Sequence, residues 1–184
     1  MKSKREQLID TALDLFYQHG VNSIGINEVL KVSGIAKKTL YNHFQSKDAL
    51  ILAALEQRDK RFLSWLESCL ATANSDKALV TSLFTALEQW FENCSPLGDF
   101  RGCFFANTSA EIADPESDIF KYCQAHKDKV RHLISTRLHH AKPDLIEAIC
   151  LVKEGAISRA YVNGETHSAA ICIRLIEPML IQHQ

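Results

Sequence analysis

The stretch Ile24–Leu50, IGINEVLKVSGIAKKTLYNHFQSKDAL, decides the fold of the N-terminal part of this chain. Its apolar residues recur at helical spacing in two short runs, and a turn at Gly34 separates the two runs. A short helix, a glycine turn and a second helix form a helix-turn-helix, in which the first helix braces the second. The apolar positions that define the inner faces are Ile26, Val29 and Leu30 in the first helix, and Leu40 and Phe44 in the second.

The outer face of the second helix carries side chains that donate hydrogen bonds. In a helix-turn-helix this face enters the major groove of DNA, where donors meet base edges and phosphates. Lysines on the same face also neutralise phosphate charge. We therefore predict that double-stranded DNA is bound by Lys37, Lys38, Thr39, Tyr41, Asn42, His43 and Lys47.

A longer pattern surrounds this stretch: Ala12-x-x-Leu15-Phe16-x-x-x-Gly20, then Gly34-Ile35, then Thr39-Leu40-Tyr41-x-His43-Phe44-x-Ser46-Lys47-Asp48-x-Leu50. The pattern resembles the DNA-binding domain of the TetR family of transcriptional regulators, and it covers roughly residues 5 to 55. The resemblance implies an all-α protein, with an N-terminal three-helix helix-turn-helix domain followed by a helical domain that binds a ligand and dimerises. We place these domains at residues 1–47 and 48–184.

Two positions depart from the usual family pattern. Ala36 stands where the family usually has Ser, so the second helix should lack a side-chain cap worth about 0.5–2 kcal/mol. Lys38 stands where a small residue is common, which adds a charge beside the DNA backbone. DNA binding is still expected, but the operator of a relative cannot be assumed.

Charge and composition fit this interpretation. Residues 1–47 carry a net charge of +3 and the remainder −4, which suits a protein that places one end on DNA, although a chance excess on a solvated surface fits equally well. The hydrophobic fraction of 46%, with only 7 Gly and 4 Pro, indicates a globular helical protein. Because no segment resembles a signal peptide or a membrane span, we expect a cytoplasmic protein without a membrane partner.

The body should contain six helices, which end at polar or Pro/Gly breaks. The last two resemble the pair through which the family dimerises, so a homodimer through about residues 143–181 is expected. The strongly apolar last helix must be covered by something, and burial within its own chain is the alternative. The expected ranges are about 47–71, 77–93, 102 to the residue before Asp114, 116–140, 143–162 and 166–181.

A ligand-sensing body should hold an apolar cavity with a few polar groups. The many aromatic side chains there favour a small apolar or aromatic inducer, although each of them also fits an ordinary core. The candidate ligand-binding residues are Trp65, Phe84, Phe104, Asn107, Thr108, Glu111 and His126.

Cys103 is a candidate redox residue. It follows Arg101 at the predicted start of a helix, where the helix dipole and a nearby cation favour the thiolate. Some members of the family sense electrophiles or oxidants through a cysteine in this region, and the alternative is a small buried residue. The six cysteines show neither a close pair nor Cys-x-x-Cys spacing, so we expect reduced thiols.

No catalytic constellation is present in the sequence, which lacks a Gly-rich phosphate loop, a His-Glu-x-x-His motif and a nucleophile elbow. The adjacent His139 and His140 point to different sides of a helix, so we interpret them as exposed helix-end residues rather than metal ligands. We therefore expect no enzyme, cofactor or metal. The favoured function is a repressor that leaves a palindromic operator when it binds an inducer; the alternatives are a thiol-switched regulator and an enzyme or interaction domain fused to a DNA-binding head.

Overall fold

The computed structural model of the chain describes residues 2–140 and 142–180, and all regular secondary structure within them is α-helical. This confirms the predicted all-α class. None of the helices in these ranges combines the length and the apolar character that crossing a bilayer requires. The helices are α1 Lys4–His19, α2 Ile26–Ser33, α3 Lys37–His43, α4 Lys47–Leu70, α5 Asp76–Phe91, α6 Phe104–Glu111, α7 Asp118–Arg137, α8 Pro143–Asn163 and α9 Ala169–Leu180.

Serine side chains start several of these helices. Ser3 Oγ accepts a hydrogen bond from the Glu6 main-chain N–H at 3.2 Å, and the Glu6 carboxylate accepts from the Ser3 N–H at 2.7 Å, which completes a capping box. These hydrogen bonds lower the pKa of Glu6. Ser46 Oγ caps α4 by accepting from the Ala49 N–H at 3.1 Å. Local sequence therefore explains where these helices begin.

Two helix ends differ from their predicted positions, and at each of them a carboxylate from a distant part of the chain accepts from main-chain N–H groups. The predicted end of α7 at His140 is wrong: the helix stops at Arg137, and the Asp76 carboxylate accepts from the N–H groups of His139 at 2.6 Å and His140 at 3.1 Å. The start of α9 shifts to Ala169, whose N–H donates to the Glu88 carboxylate at 2.7 Å. The predicted end of α9 at residue 181 lies outside the described residues.

The chain forms two compact units, Met1–Lys60 with Phe104–His126, and Arg61–Cys103 with Lys127–Gln184. The predicted boundary between residues 47 and 48 stays a prediction, and it does not coincide with this division of the chain by packing. The first part of α4 belongs to the first unit because its side chains contact α1. Gln57 donates a hydrogen bond to Asp10, and the Arg58 guanidinium lies 4.7 Å from the ring centre of Tyr17. We refer to the two as the DNA-binding unit and the body unit.

Helices α1, α2 and α3 pack on one another in the DNA-binding unit. The side chains of Leu8, Val29 and Leu40 are completely buried there. Gly34 ends α2 with a φ of 67°, a left-handed conformation that glycine adopts at little cost, and its N–H donates to the Leu30 carbonyl at 3.0 Å. This turn sets the direction of α3.

In the body unit, α5, α8 and α9 pack on one another. An aromatic cluster forms part of its core, and the ring centres of contacting pairs lie 4.9 to 6.1 Å apart. Such edge-to-face and tilted pairs add to the energy of apolar burial. The members of the cluster are Phe62, Trp65, Trp90, Phe91 and Phe100.

Candidate nucleic-acid interface and effector sites

Six of the seven predicted DNA-binding residues lie in helix α3, and the seventh, Lys47, is the first residue of α4. Leu40 and Phe44 are buried and attach the helix to the unit. Thr39 and Lys47 are half-buried. The exposed residues are Lys37, Lys38, Tyr41, Asn42 and His43. The helix therefore offers a row of hydrogen-bond donors and two cations to solvent.

The start of α3 lacks a side-chain cap. Ala36 occupies the capping position with φ −66° and ψ 144°, and only its carbonyl takes part, accepting from the N–H groups of Thr39 at 2.9 Å and Leu40 at 3.2 Å. The preceding turn is held by Ser33 Oγ, which accepts from the Ile35 N–H at 3.3 Å. The main-chain geometry of a capped helix is thus present, but the side-chain acceptor is not.

Arg5 is a cation near α3 that was not among the predicted DNA-binding residues. Its guanidinium lies 5.3 Å from the ring centre of Phe44, the residue that ends α3. Arg5 is exposed, so it adds positive charge beside the predicted DNA-binding surface. The charged run at the N-terminus was the available signal, but its place in the fold could not be inferred from spacing.

Two predicted ligand-binding residues lie in the core of the body unit. Trp65 belongs to the aromatic cluster, with its ring centre 6.1 Å from that of Trp90. Phe84 is 1% exposed. Both side chains are packed by neighbours as ordinary core residues are.

The other five lie in the DNA-binding unit. Phe104 is buried and meets the ring of Tyr17 edge-on at 5.8 Å. Asn107 is half-buried. Thr108 is 1% exposed, and among the described residues its hydroxyl has no hydrogen-bond partner. A buried polar group without a partner costs about 1–3 kcal/mol, so the Thr108 hydroxyl is a candidate contact for a bound molecule.

His126 is part of a buried polar cluster. Its Nδ1 lies 2.7 Å from Asp59 Oδ1, and its ring stacks on that of Phe105 with the ring centres 3.5 Å apart. Tyr122 donates from its hydroxyl to Asp59 Oδ2 at 3.2 Å. Burial and the negative charge of Asp59 raise the pKa of Tyr122, so this phenol stays protonated as a donor. Asp59 was missed from the sequence because one carboxylate in a long helix carries no distinguishing signal.

Glu111 faces the main chain of the loop between α1 and α2. Its two carboxylate oxygens accept from the N–H groups of Val21 at 3.2 Å and Asn22 at 2.8 Å. This carboxylate, predicted as a ligand contact, is thus already engaged with the protein itself.

Cys103 lies in a charged cluster of the body unit. Its Sγ is 3.3 Å from Lys127 Nζ, which also pairs with the Glu154 carboxylate at 2.7 Å, and Glu154 contacts Lys153 as well. The sequence pointed to Arg101 as a cation near the sulfur, and the structure shows a second cation, Lys127, which α7 brings there from a distant point in the chain. Helix α6 begins at Phe104, directly after the cysteine.

The charges of this cluster depend on one another. Burial alone would lower the pKa of Lys127, but its interactions with Cys103 and Glu154 outweigh burial and raise that pKa. Burial alone would raise the pKa of Glu154, but Lys153 and Lys127 outweigh it and lower that pKa. The ammonium groups of Lys127 and Lys153 therefore share the Glu154 carboxylate.

A cavity of about 500 Å³ opens in the body unit, and none of the predicted ligand-binding residues lines it. Its wall includes the contact between the Asp76 carboxylate and the main chain of His139 and His140. It also includes the Lys77–Glu177 ion pair, at 2.6 Å. The two histidines are therefore turn residues after α7, rather than residues of its last turn.

Helices α8 and α9 leave large apolar side chains exposed. The exposed fractions are 72% for Leu151, 74% for Val162 and 58% for Leu175. Ile173, in the same helix as Leu175, is half-buried. Tyr161 and Ile171 are exposed as well.

Comparison with known proteins places these features in context. Residues 8–54 match the family model described as bacterial regulatory proteins, tetR family. The chain is 28% identical over 135 residues to the HTH-type transcriptional repressor ComR of Escherichia coli (strain K12); the match covers 72% of this chain and 60% of ComR, less than two thirds of that protein. It is 25% identical over 146 residues to the HTH-type transcriptional repressor NemR of the same strain, with 79% and 72% of the two chains covered.

The fold extends over nearly the whole chain in a solved structure. The crystal structure of SCO4454, a TetR-family transcriptional regulator from Streptomyces coelicolor, superposes with a TM-score of 0.84. The superposition covers 96% of this chain and 94% of that protein, at 24% sequence identity. The likeness therefore includes the helices that follow the helix-turn-helix.

Proposed function

Because this chain belongs to the TetR family of bacterial regulators, we propose that it is a transcriptional repressor that binds a palindromic operator as a homodimer. The observation that carries the proposal is the exposed donor row of α3, held in place by buried Leu40 and Phe44. Two similar proteins, ComR and NemR, are named repressors, which favours repression over activation. A regulator that binds chromosomal DNA works in the cytoplasm.

Recognition of the operator divides between two kinds of side chain. Tyr41, Asn42 and His43 are exposed donors that can reach base edges in the major groove. Lys37 and Lys38, at the start of α3, are placed to neutralise phosphates. Base contacts supply sequence preference, and phosphate contacts supply most of the affinity.

The exposed apolar face of α8 and α9 supports the homodimer. Leu151, Gly155, Ser158 and Val162 follow one another at intervals of four, three and four residues, so they share one side of α8. All four are exposed. A second copy of the chain related by a two-fold axis would cover this face, and the two α3 helices would then meet two half-sites of a palindrome.

A small apolar or aromatic molecule is the inducer we propose. The buried Thr108 hydroxyl without a partner among the described residues supports this, as do buried Phe104 and Phe105 on the same helix. Such a ligand would gain about 25 cal/mol for each Å² of apolar surface removed from water. It would release DNA if it bound the DNA-incompetent conformation more tightly than the competent one. Release of DNA in this way requires no chemical reaction, which agrees with the naming of the similar proteins ComR and NemR as regulators.

The test of the central proposal is selection of bound fragments from the source genome with purified protein. We expect enrichment of one palindromic sequence, bound by the wild-type dimer. Enrichment of no sequence would contradict the proposal.

A thiol-switched repressor is a second candidate, favoured by the contact between Cys103 Sγ and Lys127 Nζ. An ammonium group beside a cysteine stabilises the thiolate, which is the nucleophile. The thiolate would add to the β-carbon of an α,β-unsaturated ketone: the C–S bond forms, the C=C π bond breaks, and water supplies a proton to the α-carbon. The added group would then disturb the charge balance around Lys127.

Labelling separates the two modes of release. Burial raises the pKa of the thiols of Cys69, Cys150 and Cys172, so these should react slowly at neutral pH. Cys94 is exposed, so labelling is best done in a Cys94→Ser background. A thiol switch predicts rapid iodoacetamide labelling of Cys103 and release of DNA by methyl vinyl ketone, with no release in Cys103→Ser. Slow labelling of Cys103, or equal release in Cys103→Ser, would exclude it.

A further inference from the structure

The carboxyl-terminal end of α6 is hydrogen-bonded to the loop that leads into the helix-turn-helix. Glu111 Oε1 accepts from the Val21 N–H at 3.2 Å, and Oε2 accepts from the Asn22 N–H at 2.8 Å. The Asn22 side-chain amide donates in return to the Glu111 carbonyl oxygen at 3.0 Å. Three hydrogen bonds therefore connect segments that are 89 or 90 residues apart in the chain.

The loop is shaped around this carboxylate. Gly20 ends α1 with a φ of 86°, and its N–H donates to the Phe16 carbonyl at 2.9 Å. A Cβ atom at this position would lie 2.7 Å from Glu111 Oε1, which is closer than the two atoms can approach. Both the conformation and the space at position 20 thus require glycine, and the carboxylate occupies the room that glycine leaves.

The other end of α6 is fixed in the same unit. The ring of Phe105 stacks on that of His126 from α7, and the Asp59 carboxylate of α4 lies 2.7 Å from His126 Nδ1. These three residues are only 2 to 3% exposed. Helix α6 is therefore held at its start by a buried contact and bonded at its end to the loop before α2.

We propose that Glu111 is a positioning residue for DNA binding, which anchors the α1–α2 loop to α6 and thereby sets the position of α2 and α3. The loop residue Val21 is fully buried and lies a few residues before α2, so its place constrains where the helix-turn-helix begins. A carboxylate suits this role because both its oxygens accept, and hydrogen bonds to an ionised acceptor are stronger than neutral ones. The proposal rests on the function proposed above, and it replaces ligand contact as the role of Glu111.

Hydrogen exchange of the full-length protein tests whether the anchor exists in solution. In Glu111→Ala we expect the amides of Val21 and Asn22 to exchange about 10- to 100-fold faster than in the wild type, because each loses a charged acceptor. The matched control is Glu116→Ala, which removes the same charge from an exposed side chain paired with Lys121. Unchanged exchange at Val21 and Asn22 in Glu111→Ala would overturn the proposal.

The affinity of each variant for the duplex that the wild type selects tests the role of the anchor. Removing a negative charge from the unit that binds DNA should by itself leave binding unchanged or strengthen it, as we expect for Glu116→Ala. Glu111→Ala should instead weaken binding about tenfold, because only a fraction of unanchored molecules hold α3 in the competent position. Equal or tighter binding by Glu111→Ala would overturn the positioning role.

Glu111→Gln serves as the second variant, and it decides the matter if circular dichroism shows that Glu111→Ala does not fold. Its amide keeps the size of the side chain but only one acceptor oxygen, so we expect an intermediate loss of affinity. Affinity equal to the wild type in this folded variant would contradict the need for two acceptors. If the wild type selects no duplex, the proposed function is contradicted, and so is the role of Glu111 in DNA binding. The hydrogen-exchange experiment would still decide whether Glu111 anchors the loop.

Discussion

At the scale of single residues, α3 separates side chains that hold the helix from side chains that are free to bind. Leu40 is completely buried, whereas Tyr41 is 46% exposed and His43 is exposed. Substitution of an exposed residue that makes no buried contact usually changes stability by less than about 0.5 kcal/mol. Loss of binding and loss of folding can therefore be measured separately on this one helix.

Tyr41→Ala and His43→Ala should each weaken specific operator binding about 5- to 150-fold, because a lost base contact costs about 1–3 kcal/mol. The melting temperature should stay within the error of the wild-type value. Fluorescence anisotropy with specific and scrambled duplexes measures the change. Leu40→Ala is the contrasting control, since removal of a buried leucine side chain destabilises by about 2–5 kcal/mol. Full specific affinity in both surface variants would contradict the assignment of α3.

Glu154 should make stability depend on acidic pH. The lysines beside it outweigh burial and lower the pKa of Glu154, so its stabilising contribution is complete above the unfolded-state value, near 4.5. The contribution is lost as pH falls through the lower pKa of the folded state. At pH 6 we expect a higher melting temperature for the wild type than for Glu154→Gln. The difference between the two melting temperatures should shrink as the pH is lowered below about 4.5. A difference independent of pH would contradict this expectation.

At the scale of elements, α3 and α9 each lack something that a stable helix normally has. Helix α3 has only 7 residues and no side-chain cap, so the buried residues Leu40 and Phe44 are its main attachment. Helix α9 has an apolar face that is only partly covered by α5 and α8. One substitution at the start of α3 could supply the missing cap. The uncovered apolar face of α9 predicts that a partner covers it.

Ala36→Ser should stabilise the DNA-binding unit by about 0.5–1 kcal/mol, because its hydroxyl could accept from the Thr39 N–H in the first turn of α3. Chemical denaturation monitored on that unit would measure the change. Ala36→Val adds bulk without an acceptor and should not stabilise. An equal effect of both substitutions would show that capping is not the cause.

Leu175→Glu should convert the dimer to a folded monomer at micromolar concentration. The side chain is 58% exposed in one chain, so a charge there is tolerated by the monomer, but burying it unpaired in an interface costs several kcal/mol. Sedimentation velocity gives the mass, and circular dichroism checks the fold. Thr85→Glu on exposed α5 surface is the matched control and should remain dimeric. A wild-type monomer would contradict the interface on α8 and α9.

At the scale of the whole molecule, charge is concentrated where binding is proposed. Residues 1–47 have a net charge of +3, although the chain as a whole has −1. The uneven distribution directs the α3 end towards DNA while the acidic remainder limits indiscriminate binding. Salt should therefore affect affinity strongly.

If Lys37, Lys38 and Lys47 each contact a phosphate in both copies of a dimer, log affinity should fall with log salt concentration with a slope of about −5. Lys38→Ala should reduce the magnitude of the slope by about 2, since the dimer loses two contacts. Lys77→Ala, in the body unit, should leave the slope unchanged. A wild-type slope near zero would contradict electrostatic binding through α3.

The sequence by itself determined those features that depend on neighbours within a few positions. The apolar spacing of Leu40 and Phe44 placed the inner side of α3, Gly34 marked the turn, and Ser46 marked the start of α4. Ala36 was expected to leave α3 without a side-chain cap, and none is found. All of these are local, because helical periodicity and capping involve residues at most four apart.

Only the tertiary structure decided which distant residues meet. Lys127 reaches Cys103 from 24 positions away, and Glu111 bonds to Asn22 across 89, where no periodicity connects the partners. The same holds for the end of α7, which the Asp76 carboxylate sets by accepting from the N–H groups after Arg137. A pattern of apolar residues indicates that one side of a helix is buried. Which element that side packs against depends on the path of the whole chain.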